Sequence, residues 1–125
     1  MNLLFVAIGG AIGSVARYLI QSLIGHYAGS SFPYGTLIVN ITGSVFMGLL
    51  IGWLGRMMPG HTQSIHLFVA VGVLGGYTTF STFSLESVNL LEEGRWMAMS
   101  LYIVSSVVLS IGGLLVGLRL MRTLT

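Results

Sequence analysis

Residues 75–86 read GGYTTFSTFSLE, and they sit inside a stretch apolar enough to cross a membrane. Lipid offers no hydrogen-bond partners. Hydroxyl-rich or irregular backbone at bilayer depth must therefore be buried in protein or line a wet path. Gly75 and Gly76 hold helix poorly, and Thr78 and Thr79 are mediocre formers. Together they predict an unwound turn in the middle of a spanning helix. The alternative is a plain glycine kink, with the threonines bonding back to their own helix.

Outward from this segment the chain is all membrane. Of its 125 residues 54% are hydrophobic and 6% charged; soluble domains carry roughly 25% charged residues. There is no Lys and no Asp, and no formal charge falls between Arg56 and Glu86 or between Arg95 and Arg119. A spanning helix needs about 20 mostly apolar residues. Four such runs fit, at about 3–24, 35–54, 65–91 and 96–118, and they leave nothing for a soluble domain. The expected fold is one all-α unit over 1–125 with four transmembrane helices, the third broken near its middle. MNLLFVAIGG lacks a basic leader, so it reads as a retained helix rather than a cleaved signal. Five scattered arginines make no stripe that could follow phosphates, which excludes nucleic acid as a partner. The absence of Cys removes disulfides and thiolate metal sites.

The helices carry small residues at packing spacing. Gly9/Gly13 and Gly10/Ser14 are small-xxx-small pairs on the first helix. On the second, Asn40, Ser44, Gly48 and Gly52 follow at four-residue steps; on the fourth, Tyr102, Ser106, Ser110 and Gly117 lie near one face, with Gly113 adjoining. The loop HYAGSSFPYG (26–35) is turn-rich, and EEGR (92–95) joins the last two helices.

With the N-terminus on one side, that side receives Arg56, Arg119 and Arg122, and the other receives Arg17 and Arg95. Orientation follows the excess of Lys and Arg in short loops. A bias of three against two is close to nil, which predicts insertion both ways up. Two opposed copies can then pair about an axis in the membrane plane. Four short helices have too little interior to wrap a polar path alone, so a homodimer is expected. The alternative is a single orientation set by the one extra arginine.

Phe80 and Phe83, three apart, share a helical face. An aromatic ring has a positive edge that can meet an anion. Phenylalanines in membrane helices usually face lipid or core, but Thr79, Ser81, Thr82 and Ser84 surround these two. Asn40 can donate to an anion or tie helices together, and the Tyr102, Ser106, Ser110 stripe has the same two readings. Such groups offer many neutral donors and little fixed charge. A lining of this kind can replace an ion's hydration without trapping it. Arg17 and Glu86 are the charges nearest helix interiors, and a charge there is costly unless it has a role. Arg17 can instead snorkel to the interface; Glu86 can line a vestibule or cap a helix. His26, His61 and His66 show no metal-ligand spacing, and Met57, Met58, Met97 and Met99 read as interface filler.

GGYTTFSTFSLE, GTLIVNITG (35–43) and GGAIGSVARY (9–18) together resemble the CrcB/Fluc family of fluoride channels, over essentially the full length and with no departure at the motif positions. The resemblance implies a dual-topology antiparallel homodimer in the bacterial inner membrane. It implies passive export of fluoride, and a central structural Na+ that is not transported. The Na+ would be held by backbone carbonyls of Gly75 and Thr78 from each subunit. Phe80 and Phe83 would meet fluoride with their ring edges. Asn40 would be the pore amide, with Thr82, Tyr102, Ser106 and Ser110 along a polar track and Arg17 near the vestibule, where Glu86 is also placed. The partners implied are fluoride, an inverted second copy and the bilayer. A small multidrug-type proton antiporter is the alternative, but it wants a carboxylate deep in the first helix, which has none. Nothing at membrane depth pairs a nucleophile with a base, so no enzyme is expected.

Overall fold

A computed structural model of the chain describes residues 1–56 and 59–124, the side chains at 59–61 excepted. Met57 and Met58, read above as filler, lie outside the described residues, as does the side chain of His61.

Helix α1 spans Asn2–Ala28. It runs four residues beyond the expected end, because nothing in GHYA stops a helix until Gly29. Gly29 takes a positive φ of 79° and returns its N–H to the Gly25 carbonyl. Such a turn costs glycine no Cβ clash. Pro33 precedes α2, Tyr34–Leu54. The third span begins as α3, Pro59–Ile65. It continues as a π-helical stretch, His66–Leu74, whose wide turns end with the Gly75 N–H on the Ala70 carbonyl. Next come the single turn α4, Gly75–Tyr77, and, after three non-helical residues, α5, Ser81–Glu92. Gly94, with φ 74°, turns the chain into α6, Trp96–Leu124. α6 also overruns the expected end. Arg119 and Arg122 sit well at a helix C-terminus, where the dipole favours cations.

Among the described residues, four helical spans are long and apolar enough to cross a membrane: Asn2–Ala28, Tyr34–Leu54, Thr62–Glu92 and Trp96–Leu124. They pack as two close pairs, α1 against the π-helical stretch and α4, and α2 against α6. Backbone contact makes each pair. A Cβ on Gly13 would stand 2.0 Å from the Val73 carbonyl oxygen, and one on Gly48 2.1 Å from that of Leu114. Small residues are how membrane helices approach this closely, because lipid tails give no hydrophobic drive between helices.

Two arginines fix the ends. Arg56 Nη2 donates to the Arg122 carbonyl at 2.6 Å, joining the far ends of α2 and α6. Arg95 donates to the Ser31 carbonyl, joining the loops that follow α1 and α5. The spans therefore alternate in direction. Phe83, Leu90 and Tyr102 form the buried core, with Phe32, Leu37 and Ile103 packed against it. Ile8, Ile12, Val15, Leu19 and Leu23 make an exposed stripe along α1, and Val104, Val108, Ile111 and Leu115 one along α6. In water such patches would be a liability; in lipid they are the outer wall.

Candidate functional site

The site is built around the residues between α4 and α5. Thr78 leaves the helix with an extended backbone, φ −82° and ψ 159°. Its N–H and its Oγ1 both donate to the Leu74 carbonyl, each at 3.0 Å. Thr79 is then taken over by α2: Asn40 Nδ2 donates to the Thr79 carbonyl at 2.9 Å, and the Thr79 N–H donates to Asn40 Oδ1 at 2.8 Å. The Thr82 N–H donates to Thr79 Oγ1 at 3.2 Å, capping the start of α5. On the other side of Thr78, the Tyr77 phenol lies 2.9 Å from Thr42 Oγ1. Gly43 makes room for all this, since a Cβ there would lie 2.3 Å from Thr78 Cγ2.

These bonds decide which carbonyls are left over. In an α-helix, the N–H of residue i+4 serves the carbonyl of residue i. Here the N–H of Thr79 goes to Asn40 and that of Thr82 to a threonine side chain. The carbonyls of Gly75 and Thr78 therefore lose the donors an unbroken helix would supply. Both are strong acceptors that need a partner. Gly75 lies on the exposed surface of the subunit and Thr78 is half-buried. Two such oxygens suit a small hard cation.

A cavity of about 380 Å³ opens beside this segment, lined in part by Asn40, Thr78, Phe80, Phe83, Ser106 and Ser110. The spans that supply these residues are α2, α5 and α6, with Thr78 and Phe80 from the segment between α4 and α5. The Phe80 and Phe83 rings stand 5.4 Å apart at 52°. Phe83 is 9% exposed and Phe80 77%. One ring is thus held in the core while the other projects from the subunit. Ser106 Oγ is buried and has no hydrogen-bond partner among the described residues. A buried hydroxyl left in this way is completed by water or by an ion. The second N–H of the Asn40 amide likewise has no partner among the described residues, since the bond to Thr79 uses one of its two donors.

Thr82 and Glu86 line a second cavity, of about 350 Å³, toward the α1–α2 loop, together with Gln21, Thr36 and Asn89. Tyr102 lines neither. It is fully buried, its ring 5.1 Å from that of Phe83 and 5.6 Å from that of Phe32. Its O–H donates to Glu86 Oε1 at 3.0 Å. Arg17 is half-buried on α1, lines neither cavity, and has no hydrogen bond or ion pair among the described residues.

Sequence reasoning missed Thr36 and Gln21. Gln21 Nε2 donates to Thr36 Oγ1 at 3.0 Å. The signal for Thr36 was present, because it lies four residues before Asn40 and so shares its helical face.

A family model described as CrcB-like protein, Camphor Resistance (CrcB), matches residues 4–118. Over 122 residues the chain is 48% identical to a fluoride-specific ion channel, FluC 1, of Nitrobacter hamburgensis, covering 98% of this chain and 96% of that one. It is 47% identical over 121 residues to a fluoride-specific ion channel FluC of Rhodospirillum centenum, covering 97% and 95%. It is also 47% identical over 123 residues to one from Rhizobium meliloti, covering 98% of each.

Proposed function

Because the chain belongs to the CrcB-like family, we propose that it is a passive fluoride channel that lets fluoride out of the cytoplasm. It is a multi-pass membrane protein and not an enzyme; the relatives named above are ion channels of bacteria. The observation that carries the reading is the cavity in which Asn40, Phe80, Phe83, Ser106 and Ser110 meet, with a buried hydroxyl left without a protein partner.

Such a lining suits a small, strongly hydrated anion. Neutral N–H and O–H donors replace water one bond at a time. Ring edges add weak positive potential where a fixed cation would hold the ion too long. In this reading Thr82, beside Glu86 in the loop-side cavity, marks one stage of the path, and Ser106 and Ser110, farther along α6, mark another. Hydrogen fluoride is a weak, neutral acid that crosses lipid and dissociates in a cytoplasm less acidic than the medium. An inside-negative potential then drives the trapped anion out through any open anion pore.

The working unit in this reading is an inverted homodimer with the interruption of the third span near mid-depth. Phe80 supports it, since its ring is 77% exposed on the subunit while lining the cavity that holds Asn40 and Ser106, as a face left for a second copy would be. The near-even arginine count supports dual insertion. The carbonyls of Gly75 and Thr78, left without helical donors, fit a Na+ held between the two copies. Such an ion would supply fixed positive charge and a tie between subunits. A proton antiporter is disfavoured by an α1 without a single acid.

Growth of a fluoride-hypersensitive bacterium tests the reading in cells. The chain should restore growth in millimolar fluoride, and Phe80→Ile should not. Equal failure of both proteins, each present in the membrane, would count against the channel.

A further inference from the structure

We infer that Gln21 is a positioning residue that turns the Thr36 hydroxyl proton into the loop-side cavity. The inference rests on the channel reading and adds to it a polar side chain from α1.

Thr36 differs from several hydroxyls on these helices. Hydroxyls in apolar helices commonly bond back to a carbonyl one turn earlier. Thr42, Ser84, Ser87 and Ser105 all do so, at 2.5 to 3.0 Å. Their protons are consumed locally. Thr36 makes no such bond among the described residues; Gln21 donates to its oxygen instead. A threonine hydroxyl has two lone pairs and one proton. With a lone pair turned to α1, the proton is directed away from α1. There it faces the cavity and the Tyr102 phenol, which the Thr36 hydroxyl is close enough to influence. Tyr102 already donates its O–H to Glu86 Oε1. Its oxygen can only accept, so the Thr36 proton has two destinations: that oxygen, or an anion in the cavity.

The approach of α1 is built for this contact. A Cβ on Gly35, the residue before Thr36, would lie 3.2 Å from Gln21 Cα. Glycine at 35 thus lets the α1 backbone come against α2 at the level where the amide meets the hydroxyl. Thr36 is 2% exposed, so its oxygen meets few other donors when Gln21 is changed. No single residue type at 21 other than a donor of this length reproduces the geometry. Glutamate, being acceptor-only, would draw the Thr36 proton toward α1 and leave a lone pair facing the anion.

The test is fluoride efflux from liposomes, per folded dimer, for wild type, Gln21→Met, Gln21→Glu, Thr36→Val and the two double variants. Gln21→Met should slow efflux roughly three- to tenfold, the weight of one hydrogen bond, with half-saturation moved to higher fluoride. Gln21→Glu should be slower than Gln21→Met. On the Thr36→Val background neither Gln21 change should have any further effect, because no proton remains to direct. Equal losses on both backgrounds would overturn the inference and make Gln21 a packing residue, as would wild-type efflux in Gln21→Met. If Gln21→Glu does not fold, the Gln21→Met/Thr36→Val cycle alone decides. A wild-type protein that releases no fluoride would overturn the channel reading and this inference with it.

Discussion

Asn40 holds both backbone polar groups of Thr79, donating to its carbonyl at 2.9 Å and accepting from its N–H at 2.8 Å. One side chain on α2 thus replaces the two helical bonds that Thr79 would make in an unbroken third span, and still points an N–H at the cavity. Removing it should act on stability and on conduction together. Asn40→Ala loses about 1–3 kcal/mol of folding stability from the two bonds, read as a lower unfolding temperature in detergent, and fluoride efflux falls more than tenfold. Unchanged stability would mean that the amide does not hold Thr79.

The two phenylalanines should separate. Phe80 is largely exposed and Phe83 is packed on Tyr102. Phe80→Ile should cut fluoride flux while the dimer and its unfolding temperature survive. Phe83→Ile should lower both, because it also leaves a gap in the core. Normal flux in Phe80→Ile would remove that ring from the pore.

Glycines that look alike in the sequence should behave differently. A methyl at Gly13 meets the Val73 carbonyl at 2.0 Å, whereas one at Gly112 meets nothing within 4 Å. Gly13→Ala should lose about 1–3 kcal/mol to overpacking, or fail to give monodisperse protein. Gly112→Ala should purify as wild type. Size-exclusion profiles of the two variants side by side check this.

If the carbonyls of Gly75 and Thr78 hold Na+ between two copies, as proposed, replacing Na+ with a larger organic cation should shift the purified protein toward monomer or slow its efflux. Indifference of both readouts to the cation would argue against a site there.

Much of the fold could be read from hydropathy and charge. Four long apolar runs gave the four spans, and the turn-rich loop 26–35 and EEGR (92–95) gave two of the joins between them. The glycine faces were legible because close helix contact leaves few residue choices. The π-helical register of His66–Leu74 was not, since in an all-apolar run neither a 3.6-residue nor a wider turn leaves a polar stripe to betray its period. Asn40, Phe80, Phe83, Ser106 and Ser110 were named from the sequence and share one cavity. Their division from Thr82 and Glu86 was not foreseen. Tyr102, also named, lines neither cavity: its ring packs on Phe83 and its O–H is turned to Glu86. Thr36 was overlooked because, beside Pro33 and Gly35, it read as part of a helix start.

Orientation gives a further check. Ser30→Lys with Ser31→Lys adds two positive charges to one short loop and should force a single orientation. Function in cells should then fall, and recover when a copy biased the opposite way is expressed with it. Full activity of the lysine variant alone would count against an inverted pair.

The most direct measurement is ion-selective-electrode efflux from liposomes carrying the purified protein, fluoride against chloride, with a potassium ionophore to hold the potential. Fast loss of fluoride with chloride retained is the predicted result. Chloride leaving as readily as fluoride, or neither leaving, would contradict it.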